Sequence, residues 1–253
     1  MFPRWAGENG MHVKIEKAAA WLGLVMVGVF LVLFVFVAGF IPPYDPSATA
    51  TETAARYADN ELRIRIGMAF MIFLAFLFAP FFALLSRQVR RIEGYWGVMS
   101  VTQILLSVTF PFGFALCAIF AAAAAYRPHA NPDVTQALSD MFWLIFVGLV
   151  GPLITQVLIL AFAVFIDKRE VPSFPRWFGY FQIWYAVFGV PGAAVYVFHK
   201  GPLAWNGLFA FWIPLTVFCI WMIVTTVMLV KAVDVEAAER AANAAERKWE
   251  QAA

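Results

Sequence analysis

Residues 171–215 read VPSFPRWFGYFQIWYAVFGVPGAAVYVFHKGPLAWNGLFAFWIPL, and this stretch decides the fold. A basic approach (Lys168, Arg169, Arg176) leads into an aromatic-rich apolar run. Pro191 interrupts that run, a polar turn follows at 199–202, and a second run begins at about 207. A helix needs about 20 residues to cross a bilayer. Backbone groups in lipid have to be satisfied within their own segment, so these runs read as helices and not as strands. The stretch is a membrane helical hairpin with its anchors visible: Trp177 and Tyr180 at one interface, Trp205 at the other.

The rest of the chain follows the same pattern. Of its 253 residues, 63% are hydrophobic and only 13% charged; the mean hydropathy is +0.78. A soluble domain carries about 25% charged residues, so this chain needs lipid as solvent. A net charge of +2 gives no electrostatic case for nucleic acid. Cys117 and Cys219 both lie inside apolar runs and read as small core residues without a disulfide.

Six runs are long enough to span, at about 18–41, 64–86, 97–126, 140–166, 178–199 and 207–231. The first is too long for a signal-peptide core, and no small-residue cleavage site follows it. The expected fold is an all-α, six-transmembrane-helix bundle with kinked helices. A polar segment at 1–17 precedes it and a polar helix at 232–253 follows. Of the 18 Lys and Arg residues, all but Arg56, Arg63, Arg65, Arg127 and Lys200 fall on one side of that topology. Arg4, Lys14 and Lys17 are among those assigned to the basic side. The positive-inside rule then places both termini in the cytoplasm.

In the first outer loop, Pro42, Pro43 and Pro46 stop the preceding helix. Thr49 and Glu52 then match a capping box, which predicts a short helix over 50–60. Beyond Asp234, residues Val235, Ala238, Ala242, Ala245 and Trp249 form a short heptad seam of mostly small residues. It reads as a solvated extension of the last helix or as a helix that docks a partner.

Five of the six runs contain an interior proline: Pro80, Pro111, Pro152, Pro191 and Pro214. Each removes a backbone bond and bends its helix. Such kinks are common in membrane helices, but five in six point to a central cavity. Polar residues inside the hydrocarbon are the second signal, because they are costly there. Gln103 and Gln156 fall roughly 10–15 Å inside the inner boundary, counted at about 1.5 Å per residue, so that they can face one another. Gln182 lies near the start of the fifth run, and Thr102, Thr155 and Thr225 lie at a similar depth. Interhelical hydrogen bonding is one reading of these amides and contact with a ligand is the other. Trp184 and Tyr185 lie deeper than the interface anchors, where they either meet lipid or line an apolar pocket.

A third set gathers at the outer rim: Asn60, Glu61, Arg63, Arg65, Arg127, His129, Asp133, Asp140, His199, Lys200 and Asn206. Arg63 and Arg65 point in different directions on a helix, one toward Asp133 or Asp140 and the other toward headgroups. Rim ion pairs and snorkelling explain the set. An outer mouth that selects a polar or anionic group is the alternative.

Catalytic templates fail. The three histidines lie outside the helix centres, and their spacing demands no metal. No phosphate-binding loop, nucleophile elbow or zinc motif occurs. No Asp, Glu, Lys or Arg sits at a helix centre, which argues against proton coupling by a buried carboxylate. No cofactor is expected.

Several strings carry a resemblance: IPPYDPSA at 41–48, RIRIGM at 63–68, QVRRIEG at 88–94, DKREVPSFPRWFGY at 167–180 and KGPLAWNGLFAFW at 200–212. Together they resemble an uncharacterised family of six-helix bacterial integral membrane proteins. The resemblance implies this architecture and the bacterial inner membrane, and no activity.

Three functional classes follow. The leading one binds or passes a small lipophilic molecule in the central cavity, with Gln103, Gln156, Gln182, Trp184, Tyr185, Arg63, Arg65 and Asn206 as candidate contacts. The second is an accessory subunit that meets a copy of itself or another membrane protein. The third is an isomerase-like enzyme centred on the outer Arg, Asp and His residues. The lipid bilayer is the partner common to all three.

Overall fold

The computed structural model describes residues 5–252, with side chains from residue 10 to residue 251. Arg4, which the charge count assigns to the basic side, lies outside the described residues. The described chain is all-α, without a strand. Helix α1 (Trp5–Leu31) widens into a π-helical turn over Val32–Val37. Thr49 then caps α2 (Ala50–Asp59) with both halves of the expected box: the Glu52 amide donates to Thr49 Oγ1 at 3.3 Å, and the Thr49 amide to Glu52 at 2.8 Å. Helices α3 (Glu61–Leu74) and α4 (Ala79–Glu93) follow, then α5 (Val98–Ser107), α6 (Thr109–Ala124), α7 (Pro132–Gly148) and α8 (Gly151–Ile166). Helix α9 (Arg176–Gly189) runs on as a 3-10 turn over Val190–Tyr196. A π turn over Leu208–Trp212 leads into α10 (Ile213–Ala252).

Five helical stretches are long and apolar enough to cross a membrane: Gly10–Val37, Glu61–Glu93, Val98–Ala124, Pro132–Ile166 and Leu208–Gln251. The run expected at 178–199 forms α9 and its 3-10 extension, but it is not one of the five. Gln182, Trp177, Trp184 and three tyrosines give it too much polar character by composition. The expected span from 140 starts earlier, at Pro132. Asn131 accepts from the amides of Asp133 and Val134, so the polar stretch before 140 is the first turns of a capped helix.

All five interior prolines sit at a discontinuity. Pro80 follows the 3-10 turn Ala75–Phe78, and Pro111 opens α6 after the break at Val108. Pro152 opens α8, Pro191 lies in the 3-10 turn, and Pro214 follows the π turn. A proline supplies no amide to the residue four earlier, so the ladder changes pitch there. The first span widens without a proline. Arg63 reaches it from α3 and donates to the carbonyls of Phe36 at 2.8 Å and Val37 at 3.2 Å, while Gly39 turns the chain at φ +71°.

Two hydrophobic cores stack along the bundle. One, at the end we call the loop end, joins Phe30, Phe34, Phe40, Tyr57, Phe142 and Trp143 with residues of α3 and α6. The other, toward the charged end, joins Phe81, Phe82, Leu160, Phe178, Trp221 and Leu229. Helix α1 packs on α10 and α4, α6 on α3 and α7, and α8 on α9. Lipid tails are as apolar as the core, so close packing and hydrogen bonds hold such helices together. Gly148 and Gly192 show the packing: a Cβ on Gly148 would lie 2.6 Å from the Tyr196 ring, and one on Gly192 would lie 2.8 Å from the Val147 carbonyl oxygen. The end of α7 crosses the 3-10 turn at a distance that only glycine allows. An all-α bundle with five such apolar stretches defines a multi-pass membrane protein.

Candidate functional site

A cavity of about 140 Å³ lies between the two cores, where the helices break. Phe110 and Phe114 of α6, Phe146 of α7, Leu153 of α8, Tyr185 of α9 and Phe218 of α10 line it. Pro152, Pro214 and Gly113 line it too, so the kinks and their neighbours make the space. The wall is almost wholly apolar; Thr109, Cys117 and Tyr185 supply the side-chain exceptions. It is partly open, and its most exposed lining residue is Leu149 (46%), at the break between α7 and α8.

Of the eight residues singled out from sequence, Tyr185 lines this cavity. Trp184 lies on the surface, 38% exposed, and stacks between Phe181 and Phe188. Gln103, Gln156 and Gln182 are fully buried but are not in the wall. The lining phenylalanines went unnamed in the sequence reading, although Phe110 and Phe114 flank Pro111 and Leu153 adjoins Pro152. Proximity to a kink was the signal that could have found them.

Toward the charged end from the cavity lies a polar layer. The Tyr185 ring packs 5.2 Å from that of Trp221, whose indole N–H donates to Gln182 Oε1 at 2.7 Å. Gln182 Nε2, both amide atoms of Gln103, both of Gln156 and the Thr225 hydroxyl are buried without a partner. No hydrogen bond joins Gln103 to Gln156. Beside them, the Ser107 hydroxyl donates to the Gln103 carbonyl at 2.6 Å and lies 3.2 Å from Ser86 Oγ.

Below this layer an ionic network closes the charged end. Arg87 of α4 bridges Glu16 of α1 and Glu236 of α10, the latter at 2.5 Å. Arg91 pairs with Glu239 at 2.6 Å, and Lys17 with Asp234 at 2.6 Å. In the loop after α8, Arg169 holds Asp167 at two points, 2.9 and 2.6 Å. Ser173 ties that loop to α4 through Arg91 and Gln88. Burial raises the Asp167 pKa, but the Arg169 guanidinium and the amides of Ser173 and Arg169 outweigh it and hold the carboxyl below its usual range. Each cation named here has its own carboxylate, so the network leaves no spare charge for an anion. Glu236, Glu239 and Arg240 thus dock the first turns of the polar extension of α10. Ala238, between them, and Ala242 and Ala245 of the heptad seam beyond them are exposed, and Trp249 is 79% exposed.

The outer-rim residues are placed differently from expectation. Neither arginine meets Asp133 or Asp140. Arg63 is committed to the carbonyls of the π turn, and Arg65 pairs with Glu61 at 2.8 Å with its guanidinium 5.1 Å from the Tyr126 ring. The carbonyls that Arg63 meets belong to the first span, 26 and 27 residues away, an arrangement that spacing within one helix cannot reveal. Asn206 lies half-buried in the turn beside Trp205, whose indole donates to the Tyr44 carbonyl at 2.8 Å. Among the described residues, no three of His, Cys, Asp and Glu come together as a metal site.

Comparison of the chain with family models, with curated proteins and with solved structures finds no match. The resemblance to a six-helix family therefore rests on the sequence strings alone, and the architecture and the cavity carry the functional reading.

Proposed function

We propose that this protein binds, or passes, a small lipophilic molecule in the cavity between its two cores. The observation that carries the reading is the coincidence of the apolar cavity with the helix breaks at Pro111, Pro152 and Pro214. A dry, apolar cavity of about 150 Å³ accepts a molecule the size of benzene. At about 140 Å³, this one fits a single small ring or a short alkyl segment. Leu149, its exposed lining residue, lies midway along the apolar stretch Pro132–Ile166, which suits a ligand that partitions into the bilayer.

The reading includes six crossings, with both termini in the cytoplasm of a bacterium whose inner membrane holds the chain. A sixth crossing is supported by connectivity. Glu16, Arg87, Asp167 and Glu236 belong to one end of the bundle through their ion pairs and shared contacts. Trp205 bonds to Tyr44 in the loop beyond the first span, at the other end. These contacts at 167 and 205 support a crossing by α9 and its 3-10 extension. The excess of Lys and Arg at the charged end supports a cytoplasmic assignment for it.

Binding of fluorobenzene to the full chain in lipid nanodiscs, followed by ¹⁹F NMR, tests the proposal. Ile145→Trp places a larger ring in the cavity wall. It is expected to abolish saturable fluorobenzene binding while the melting temperature stays within a few degrees. Equal binding by both proteins would sink the reading.

A further inference from the structure

We infer that the ligand of this cavity is an uncharged amphiphile: a small apolar body held by the rings, with a hydroxyl, carbonyl or amide head that reaches Gln156 and Gln182. The inference rests on the reading of the cavity as a binding site.

Of the nine buried side-chain atoms without a partner among the described residues, six belong to Gln103, Gln156, Gln182 and Thr225. Buried polar groups are nearly always satisfied by protein or by something bound. These six lie on four different helices, α5, α8, α9 and α10. They also share the stripes of the cavity wall. Gln156 is one turn from Pro152 and Leu153 on α8, and Gln182 is one turn from Tyr185 on α9. Thr225 is two turns from Phe218 on α10, and Gln103 stands seven residues before Phe110 across the break between α5 and α6. Residues three, four or seven apart on one helix share its face, so Gln156, Gln182 and Thr225 lie on the faces of α8, α9 and α10 that line the cavity.

The floor itself is joined to the layer. Tyr185 faces the cavity and packs on Trp221, and Trp221 occupies one side of the Gln182 amide, leaving Nε2 free. One helical turn is about 5.4 Å, the reach of a three-carbon chain. A carboxamide offers two N–H donors and an acceptor, which complement a neutral oxygen or amide head. A charged head finds no counter-charge in this layer, and the nearest ions pair among themselves in the network beyond it.

Three ring-fluorinated probes test this on the full chain in nanodiscs: propylbenzene, 3-phenylpropan-1-ol and 3-phenylpropanoate, titrated by ¹⁹F NMR. The alcohol is expected to bind about fivefold or more tightly than propylbenzene, the worth of one net hydrogen bond. The carboxylate is expected not to bind at the same concentrations. Gln156→Leu and Gln182→Leu are each expected to erase the preference for the alcohol over propylbenzene. Gln156→Leu trades an unpaired buried amide for an apolar side chain of similar size and spares the fold, whereas Gln182→Leu also takes the acceptor from the Trp221 indole and is expected to lower the melting temperature. The inference is overturned if the alcohol binds no better than propylbenzene, if the carboxylate binds equally well, or if both variants keep the preference. If propylbenzene itself fails to bind, the cavity reading falls first and takes the inference with it.

Discussion

The loop half and the charged half of this bundle use the same chain crossings but hold together by different means. In the loop half, Phe142 and Phe146 stack at 5.6 Å, Phe34 lies 4.8 Å from Phe146, and Phe40 lies 4.8 Å from Phe142. Trp143 meets these rings edge-on and stacks along Trp205 at 6.5 Å. Ring pairs of this kind add about 0.5–1.5 kcal/mol each beyond burial, and they need no partner from outside. The charged half ends instead in arginine–carboxylate bridges that join α1, α4 and α10. Between its rings and its ions sits the layer of unpaired amides. Ring packing fills the first half, which buries three unpartnered polar atoms of its own, one each on Tyr44, Tyr57 and Trp143. The second half retains polar groups that packing does not require, and such groups are costly in a membrane interior unless something satisfies them. The cavity lies where the two halves meet.

Three changes test this contrast, from the largest effect to the smallest. Trp143→Ala removes the ring at the centre of the loop half and is expected to cost about 3–5 kcal/mol, as large-to-small core changes do. Thermal unfolding in detergent measures it; a loss below about 1 kcal/mol would mean that ring packing does not hold this half. Arg87→Ala strips the shared partner from Glu16 and Glu236 and leaves Arg240 as the cation beside both, so it is expected to cost about 1–3 kcal/mol. The loss is expected to appear as loosening of α10 beyond Lys231, read by proteolysis or hydrogen exchange. Global unfolding with no local opening would show the ions to be part of one cooperative core.

The smallest effect concerns Asp167, whose side chain is 1% exposed beside Arg169. Its folded pKa lies below the unfolded value, so its contribution is present above about pH 4 and is lost as the pH falls through the folded value. Asp167→Asn is expected to lower stability by about 1–2 kcal/mol at pH 7 and to converge with the parent protein as the pH falls through the folded value. Parallel stability curves down to pH 3 would show that the carboxylate carries no charge-dependent part of the fold.

Much of the architecture was legible in local sequence. Hydropathy alone locates the apolar runs because lipid imposes a minimum length and forbids unpaired backbone. Thr49 and Glu52 are close enough to cap α2 by themselves. The prolines mark every discontinuity that involves them, since a missing amide acts within one turn. Other features escaped for the same reason. The π turn in the first span depends on Arg63, which is 26 residues from Val37 and belongs to another helix. The segment before 140 looked like loop until Asn131 was seen to cap it. The acidic residues of α10 looked solvated because their arginine partners lie 148 or 149 residues away.

The sequence by itself therefore determined that this is an apolar, all-α chain for a membrane, where its helices bend, and which buried amides stand out. Those properties depend on solvent and on neighbours within a turn or two. Tertiary structure alone decided that the bends enclose one cavity, that Tyr185 lines it while Trp184 faces outward, and that the amides of three helices and a hydroxyl of a fourth form a layer beyond its floor. Rotation of a helix by one residue, about 100°, exchanges wall for surface, and only the packing of neighbouring helices selects that rotation.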